Sequence, residues 1–212
     1  MLKLYALFGD EVAGSPFRLD QAQALEVLQQ RFPELRHYRQ FLRTKEQLDA
    51  LVPAPFCASA ELWLNEQDDP TPLMAALEAA AEDVPEVFAV NPRVLIPSEE
   101  HNISGEPFHD SGFKATFLFD RKPSLSLEEF HGYWLNHHGP IAAQTQDAER
   151  YVQSHISATD RAYDGITELF WPDYPTALAS MASEQMTTDQ ANDAPNFVAG
   201  ESLIVFLANE AR

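Results

Sequence analysis

The 212-residue sequence holds a single cysteine, Cys57. One thiol cannot close an internal disulfide, so a reducing, cytoplasmic setting is expected. Basic residues are scarce: 14 Lys and Arg stand against 33 Asp and Glu, a formal net charge of −19. That balance argues against nucleic acid as a partner, because phosphate contacts need a Lys/Arg surface. It argues equally against anionic membranes. Its plain meaning is solubility, and steering of a cationic ligand has no specific support. No run approaches the roughly 20 apolar residues that cross a bilayer. The apolar start, Met1 to Phe8, meets Gly9-Asp10-Glu11 with no small-residue cleavage site, so it reads as a first strand rather than a signal peptide. Several motifs are missing. There is no Gly-rich phosphate loop, no His-Glu-x-x-His or paired-cysteine metal motif, and no serine nucleophile elbow. His131, His137 and His138 are spaced by six and seven, which makes no clean metal-binding face on a helix. No metal and no cofactor are expected.

What is present is an echo between the two halves. His37-Tyr38-Arg39-Gln40 aligns with Arg150-Tyr151-Val152-Gln153, an offset of 113 (151 − 38). Glu61-Leu62-Trp63 aligns with Glu168-Leu169-Phe170, an offset of 107 (168 − 61). Pro70-Thr71 and Pro175-Thr176 each open an apolar helical run. The common order of these matches points to two copies of one unit.

Each half has the same expected element order. In the first, Leu2 to Phe8 is a strand. Asp20 caps a helix over Gln21 to Arg31, whose Ala24, Leu25 and Leu28 share a stripe. Strands follow over 35–43 and 57–64, then a helix opened by Pro72, then a strand over 87–96 interrupted by Pro92. In the second, 114–119 is a strand, Ser126 and Glu129 have the spacing of a capping box, and Gly139-Pro140 is expected to end the helix by His138. Strands over 150–156 and 165–170, a helix over 175–183 and a strand over 203–207 complete it. The fold class read from this order is α+β: two ferredoxin-like βαββαβ repeats, over residues 1–97 and 113–212, joined by a polar linker over 98–112. A sheet with helices on one side needs cover on the other. The second sheet can supply it, which gives an intrachain α/β barrel of the dimeric type.

Phe130-His131-Gly132-Tyr133-Trp134-Leu135-Asn136-His137-His138-Gly139-Pro140 resembles the signature of the EthD family of dimeric α/β-barrel proteins: a Phe, then Tyr-Trp, three residues, and a His followed by a small residue and Pro. Arg121 to Ser126, Arg150 to His155, Tyr163 to Leu169 and Asn196-Phe197-Val198 resemble further parts of that family, so the likeness covers about 113–210. The first half lacks the Tyr-Trp-x-x-x-His pattern, which implies one site per chain and a scaffolding role for that half.

The resemblance implies a small cofactor-independent enzyme acting on a hydrophobic, aromatic or polyketide-like molecule, of lyase, cyclase, decarboxylase or monooxygenase type. His138, at an expected helix C-terminus where the dipole favours the imidazolium and raises basicity somewhat, is its candidate for proton transfer. Strand alternation sets Tyr151, Gln153 and His155 on one face, where Tyr151 and His155 are candidates to meet a substrate oxygen. Tyr133, Trp134, His137, Gln153 and Glu168 are candidate pocket residues, Glu168 as a carboxylate that orients a histidine. Two other readings stay open: a non-catalytic binding or accessory protein of a degradation pathway, and a haem-binding barrel, though the histidines fit the EthD pattern better than a proximal ligand. The expected partner is a small hydrophobic molecule, and the protein is expected to be a monomer or homodimer.

Overall fold

The computed structural model describes residues 1–46, 51–108, 112–157 and 162–211. The strands are β1 (Leu2–Gly9), β2 (His37–Arg43), β3 (Val52–Pro53), β4 (Phe56–Leu64), β5 (Val94–Ser104), β6 (Phe113–Phe119), β7 (Arg150–His155), β8 (Gly165–Trp171) and β9 (Ile204–Glu210). The α-helices are α1 (Gln21–Arg31), α2 (Thr71–Glu78), α3 (Ala80–Asp83), α4 (Leu127–Tyr133), α5 (Gly139–Ala142), α6 (Tyr174–Met181) and α7 (Ala191–Asp193). The chain divides into two compact units. One takes Met1–Arg43, Pro55–Glu99 and the C-terminal end from Ala208; the other takes Thr44–Ala54 and Glu100–Leu207. Of the linker expected over 98–112, residues 109–111 lie outside the described part.

In the first unit the antiparallel order β2-β4-β1-β5 is that of a ferredoxin-like sheet. Asp20 caps α1 by accepting from the Gln23 amide, and the helix buries Ala24 and Leu28. They meet Leu4, Ala6 and Phe8 of β1 and Ala60 and Leu62 of β4. Alternation sends Lys3 and Tyr5 to the opposite face, where they are also fully buried. The expected strand over 87–96 is displaced. Val87 and Phe88 sink into the core as a turn, and Pro92 cannot donate to a ladder, so β5 starts only at Val94. It then runs through Ser104, where a linker was expected. Its polar side chains suit a strand because they are paired: Ser98 Oγ donates to the Lys3 carbonyl, and Glu100 accepts from Arg150 Nη2 at 3.0 Å.

The second unit has the same local order, β7-β8-β6-β9. Ser126 and Glu129 form the reciprocal capping box that opens α4. The helix does not stop at His138. Residues Trp134–His138 form one wide π-helical turn, in which the Gly139 amide donates to the Trp134 carbonyl five residues back, and α5 follows. A proline inside a regular helix would crowd the carbonyl four residues before it. The wider turn admits Pro140, so Gly139-Pro140 bends the helix path without ending it. Gly139 fits closely there, since a Cβ would lie 3.3 Å from Gln153 Nε2. Gly165 is the floor for Trp134: its Cβ would meet the indole at 2.8 Å.

Three side-chain pairs recur between the units. Lys3 lies opposite Trp63 and pairs with Glu61 at 2.8 Å, and Lys114 lies opposite Phe170 and pairs with Glu168 at 2.8 Å. Gln40 Nε2 donates to Tyr38 at 3.0 Å, and Gln153 Nε2 to Tyr151 at 2.8 Å. Gln40 also holds the Leu19 carbonyl ahead of α1, as Gln153 holds that of Trp134. No described helix is long and apolar enough to cross a membrane.

Candidate functional site

The site lies in the second unit, between the helix face of its sheet and the segment over 181–203. A cavity of about 410 Å³ opens there, walled by Phe117, Phe119, Leu169, Met181, Met186 and Phe197. That is a size and an apolar lining that suit a small organic ligand. His138 is on its wall, with its ring 4.7 Å from that of Phe197.

His138 is buried at the π turn, and its Nδ1 lies 2.8 Å from Asp193 Oδ2. The carboxylate accepts a hydrogen bond from Nδ1–H, and Nε2 has no hydrogen-bond partner among the described residues. Asp193 is itself held: Tyr133 donates to Oδ1 at 2.5 Å and Asn196 Nδ2 at 3.1 Å. Burial works against its ionisation, but the bonds from Tyr133, His138 and Asn196 outweigh it and keep the carboxyl below its ordinary range. For His138 the balance runs the other way. Burial lowers its pKa, and the carboxylate only partly offsets that. The expectation that a helix C-terminus makes this imidazole more basic is therefore corrected, since the helix continues past it and desolvation dominates. A neutral imidazole with Nδ1–H bound leaves a lone pair on Nε2, the form a general base requires.

The other expected site residues fall in different places. His137 is exposed, with Nε2 3.6 Å from Asp193 Oδ1. Tyr133 supports the same carboxylate. Trp134 is fully buried and stacks on Phe130 and on His155. Tyr151, Gln153 and His155 do share a face, but they are packed beneath the helix, and none lines the cavity. His155 Nε2 meets Gln153 Oε1 at 3.2 Å, and its ring stacks on that of His131 and lies tilted against that of His101. Burial, then the neighbouring His131 and His101, pushes its pKa down to about 3. Burial raises the Tyr151 phenol. Glu168 lies on the opposite sheet face, away from His138, and pairs with Lys114 at 2.8 Å. Asp193 escaped the sequence reading because it sits outside any periodic element, in a run of short helical turns. Its only signal is its position three residues ahead of Asn196-Phe197. Among the described residues no group of three or more His, Cys, Asp or Glu is placed to hold a metal.

The EthD domain model matches residues 122–201, which takes in His138, Asp193 and the whole cavity wall contributed by α4 to Val198. The chain's EthD signature thus lies in its C-terminal half. No curated protein sequence is close enough to count as a relative. Among solved structures, an anthrone oxidase-like protein matches 100% of this chain and 91% of its own at 12% identity, with a TM-score of 0.60. A mutant chlorite dismutase from Candidatus Nitrospira defluvii matches 100% and 91% at 9% identity, also at 0.60. A candidate monooxygenase from Lactobacillus acidophilus NCFM matches 99% and 92% at 11% identity, at 0.54. At these identities the likeness concerns the fold alone. The fold class is that of the dimeric α/β-barrel proteins, with both ferredoxin-like repeats on one polypeptide.

Proposed function

We propose that the protein is a small cofactor-independent enzyme that moves a proton on a hydrophobic, aromatic or polyketide-like ketone bound in the cavity of its C-terminal half. The observation that carries this reading is the His138–Asp193 pair, which holds Nδ1 of an imidazole on the wall of an apolar cavity and leaves its Nε2 as the unprotonated nitrogen. In the step envisaged, Nε2 takes a proton from the carbon beside the carbonyl. The C–H pair passes to the C–C bond, and the carbonyl electrons pass to oxygen, giving an enolate and an imidazolium that Asp193 stabilises. The enolate is the entry to lyase, cyclase and monooxygenase chemistry, and in decarboxylation it is the species left when CO2 departs, which the imidazolium then protonates. That several structural neighbours carry enzyme names agrees with this reading.

The test is deuterium exchange into α-tetralone in D₂O, followed by mass spectrometry. Exchange above the buffer rate that disappears in His138→Ala supports the reading. Exchange equal in the two proteins sinks it. Haem, the other small-molecule reading, has less in its favour, because the described lining offers no Lys or Arg to pair with propionate carboxylates.

A further inference from the structure

One side of the cavity is bordered by a run of short helical turns over residues 185–196. The run opens with a second wide π-helical turn, Gln185–Gln190, continues through α7 and ends in a 3₁₀ turn, Ala194–Asn196. It has two faces. Gln185, Asp189, Asn192 and Asn196, spaced by four, three and four, border a polar groove of about 420 Å³. Met186, Gln190 and Ala194 border the apolar cavity. Among the described residues, no backbone–backbone hydrogen bond joins the run to the sheet, to α4 or to α5. Side chains make the ties instead. Gln185 Nε2 donates to the Ile141 carbonyl at 2.7 Å, Gln190 Nε2 to Thr145 Oγ1 at 2.8 Å, and Lys122 Nζ to the Pro195 carbonyl at 3.2 Å. No apolar side chain of the run is buried. Its one buried residue is Asp193, at 8% exposure. An element with so little buried apolar surface belongs to the low-stability end of a fold. The deepest anchor of this one is a carboxylate, and that carboxylate is the group that sets the proton on His138.

We infer that residues 185–196 are a lid over the cavity, and that its closing on a ligand seats Asp193 against His138 and so assembles the base. The inference rests on the function proposed above and adds to it a regulation of the same site. With the lid raised, Asp193 leaves His138 and Tyr133, and nothing holds the imidazole proton on Nδ1. With the lid lowered, Asp193 accepts from Nδ1–H and from Tyr133, while Met186, Gln190 and Ala194 border whatever fills the cavity. An apolar ligand gains these last contacts only in the lowered state, so its binding shifts the population towards the assembled base. The chain is fixed on both sides of the run. Ahead of it, α6 buries Ala177 and Ser180. After it, the Phe197 carbonyl accepts from the Lys122 amide at 2.7 Å, and the Ala199 amide donates to the Asp120 carbonyl at 3.0 Å.

The experiment is hydrogen–deuterium exchange of the full chain, followed by NMR with fluorenone as the ligand. Fluorenone is an aromatic ketone with no acidic C–H beside its carbonyl, so it fills the cavity without being turned over. In the free protein the amides over 185–196 are expected to exchange faster than those of β7 and β8. Saturating fluorenone should slow them, and the His138 Nδ1 proton should become protected in step. Gln185→Ala removes one tie to α5 and should speed exchange of the run by about two- to tenfold, the range that one hydrogen bond supplies. Asp193→Ala should speed it by about ten- to a hundredfold, the range for a bond to a charged group. The amides of β7 and β8 should keep their rates in both variants. Amides over 185–196 that are as slow as those of β7 and β8 in the free protein overturn the lid. So do amides that bound fluorenone leaves unchanged, slowing that the His138 Nδ1 proton does not share, or a Gln185→Ala protein with wild-type rates. Closing on fluorenone in a protein that exchanges no α-tetralone protons upholds the lid and sinks the proton-transfer reading alone. Binding of neither ketone, read by calorimetry, overturns both.

Discussion

Asp193 Oδ2 sits 2.8 Å from His138 Nδ1, although 55 residues separate the two along the chain. The carboxylate decides which nitrogen carries the proton, and through that which nitrogen keeps a lone pair for proton transfer. Asp193→Asn keeps the shape and loses this control, since an amide can donate to Nδ1 and place the proton on Nε2. Exchange of α-tetralone protons should fall by about 10²–10⁴-fold in Asp193→Asn, as in His138→Ala, because both remove the base form. A single-turnover exchange assay on both variants checks this.

The pH profile carries its own sign. Burial lowers the His138 pKa below the ordinary 6.5. The base form therefore persists into mild acid, and the rate should fall on the acid side with a midpoint below 6.5. Asp193→Asn removes the influence that partly restores basicity, so its midpoint should move lower still. A profile centred above 6.5 would contradict the dominance of burial.

Stability should also depend on pH through His155. Its folded pKa of about 3 lies below the ordinary 6.5. Protonation thus favours the unfolded chain. The neutral form's contribution is fully present above about 6.5 and drains away as the pH falls toward about 3. His155→Phe keeps a ring against His101, His131 and Trp134 and cannot titrate. Urea midpoints measured from pH 7 to pH 4 should decline less steeply in that variant than in the wild type.

The Lys114–Glu168 pair is almost wholly shielded from solvent, at side-chain exposures of 1% and 0%. Replacing one partner leaves the other charge buried, so Lys114→Met should cost about 3–5 kcal/mol in chemical denaturation. Recovery of much of that loss in Lys114→Met/Glu168→Leu is the expected sign that the stranded charge, and not lost packing, is the cause.

Gly165 has no room for a methyl group beneath Trp134. Gly165→Ala should destabilise the protein by about 1–3 kcal/mol through overpacking. It should also perturb near-ultraviolet circular dichroism, since Trp134 must move.

Local chemistry made much of the fold legible. Asp20 and Ser126 announce helix starts because a short polar side chain can satisfy orphan amides wherever it precedes an apolar stripe. Tyr38-x-Gln40 and Tyr151-x-Gln153 could be matched because period-two alternation keeps both residues on one face, whatever surrounds them. The misread parts depended on partners far away in the chain. Ser98 to Ser104 looks like a linker until Lys3 and Arg150 are there to satisfy its polar groups. Gly139-Pro140 looks like a helix stop until a π turn makes room for the ring. Glu168 looks available to a histidine until Lys114 is seen across the ladder.

The amino-acid order alone determined that this chain is α+β, that its second half bears the EthD signature, and that His138 is the residue to watch, because caps, periodicities and short motifs are written in neighbouring residues. Tertiary structure alone decided that Asp193 holds His138, that burial outweighs that carboxylate, and that Tyr151, Gln153 and His155 stand behind the cavity wall rather than on it. Burial and hydrogen-bond direction are properties of what surrounds a group in space, and a side chain's pKa and role follow from those surroundings.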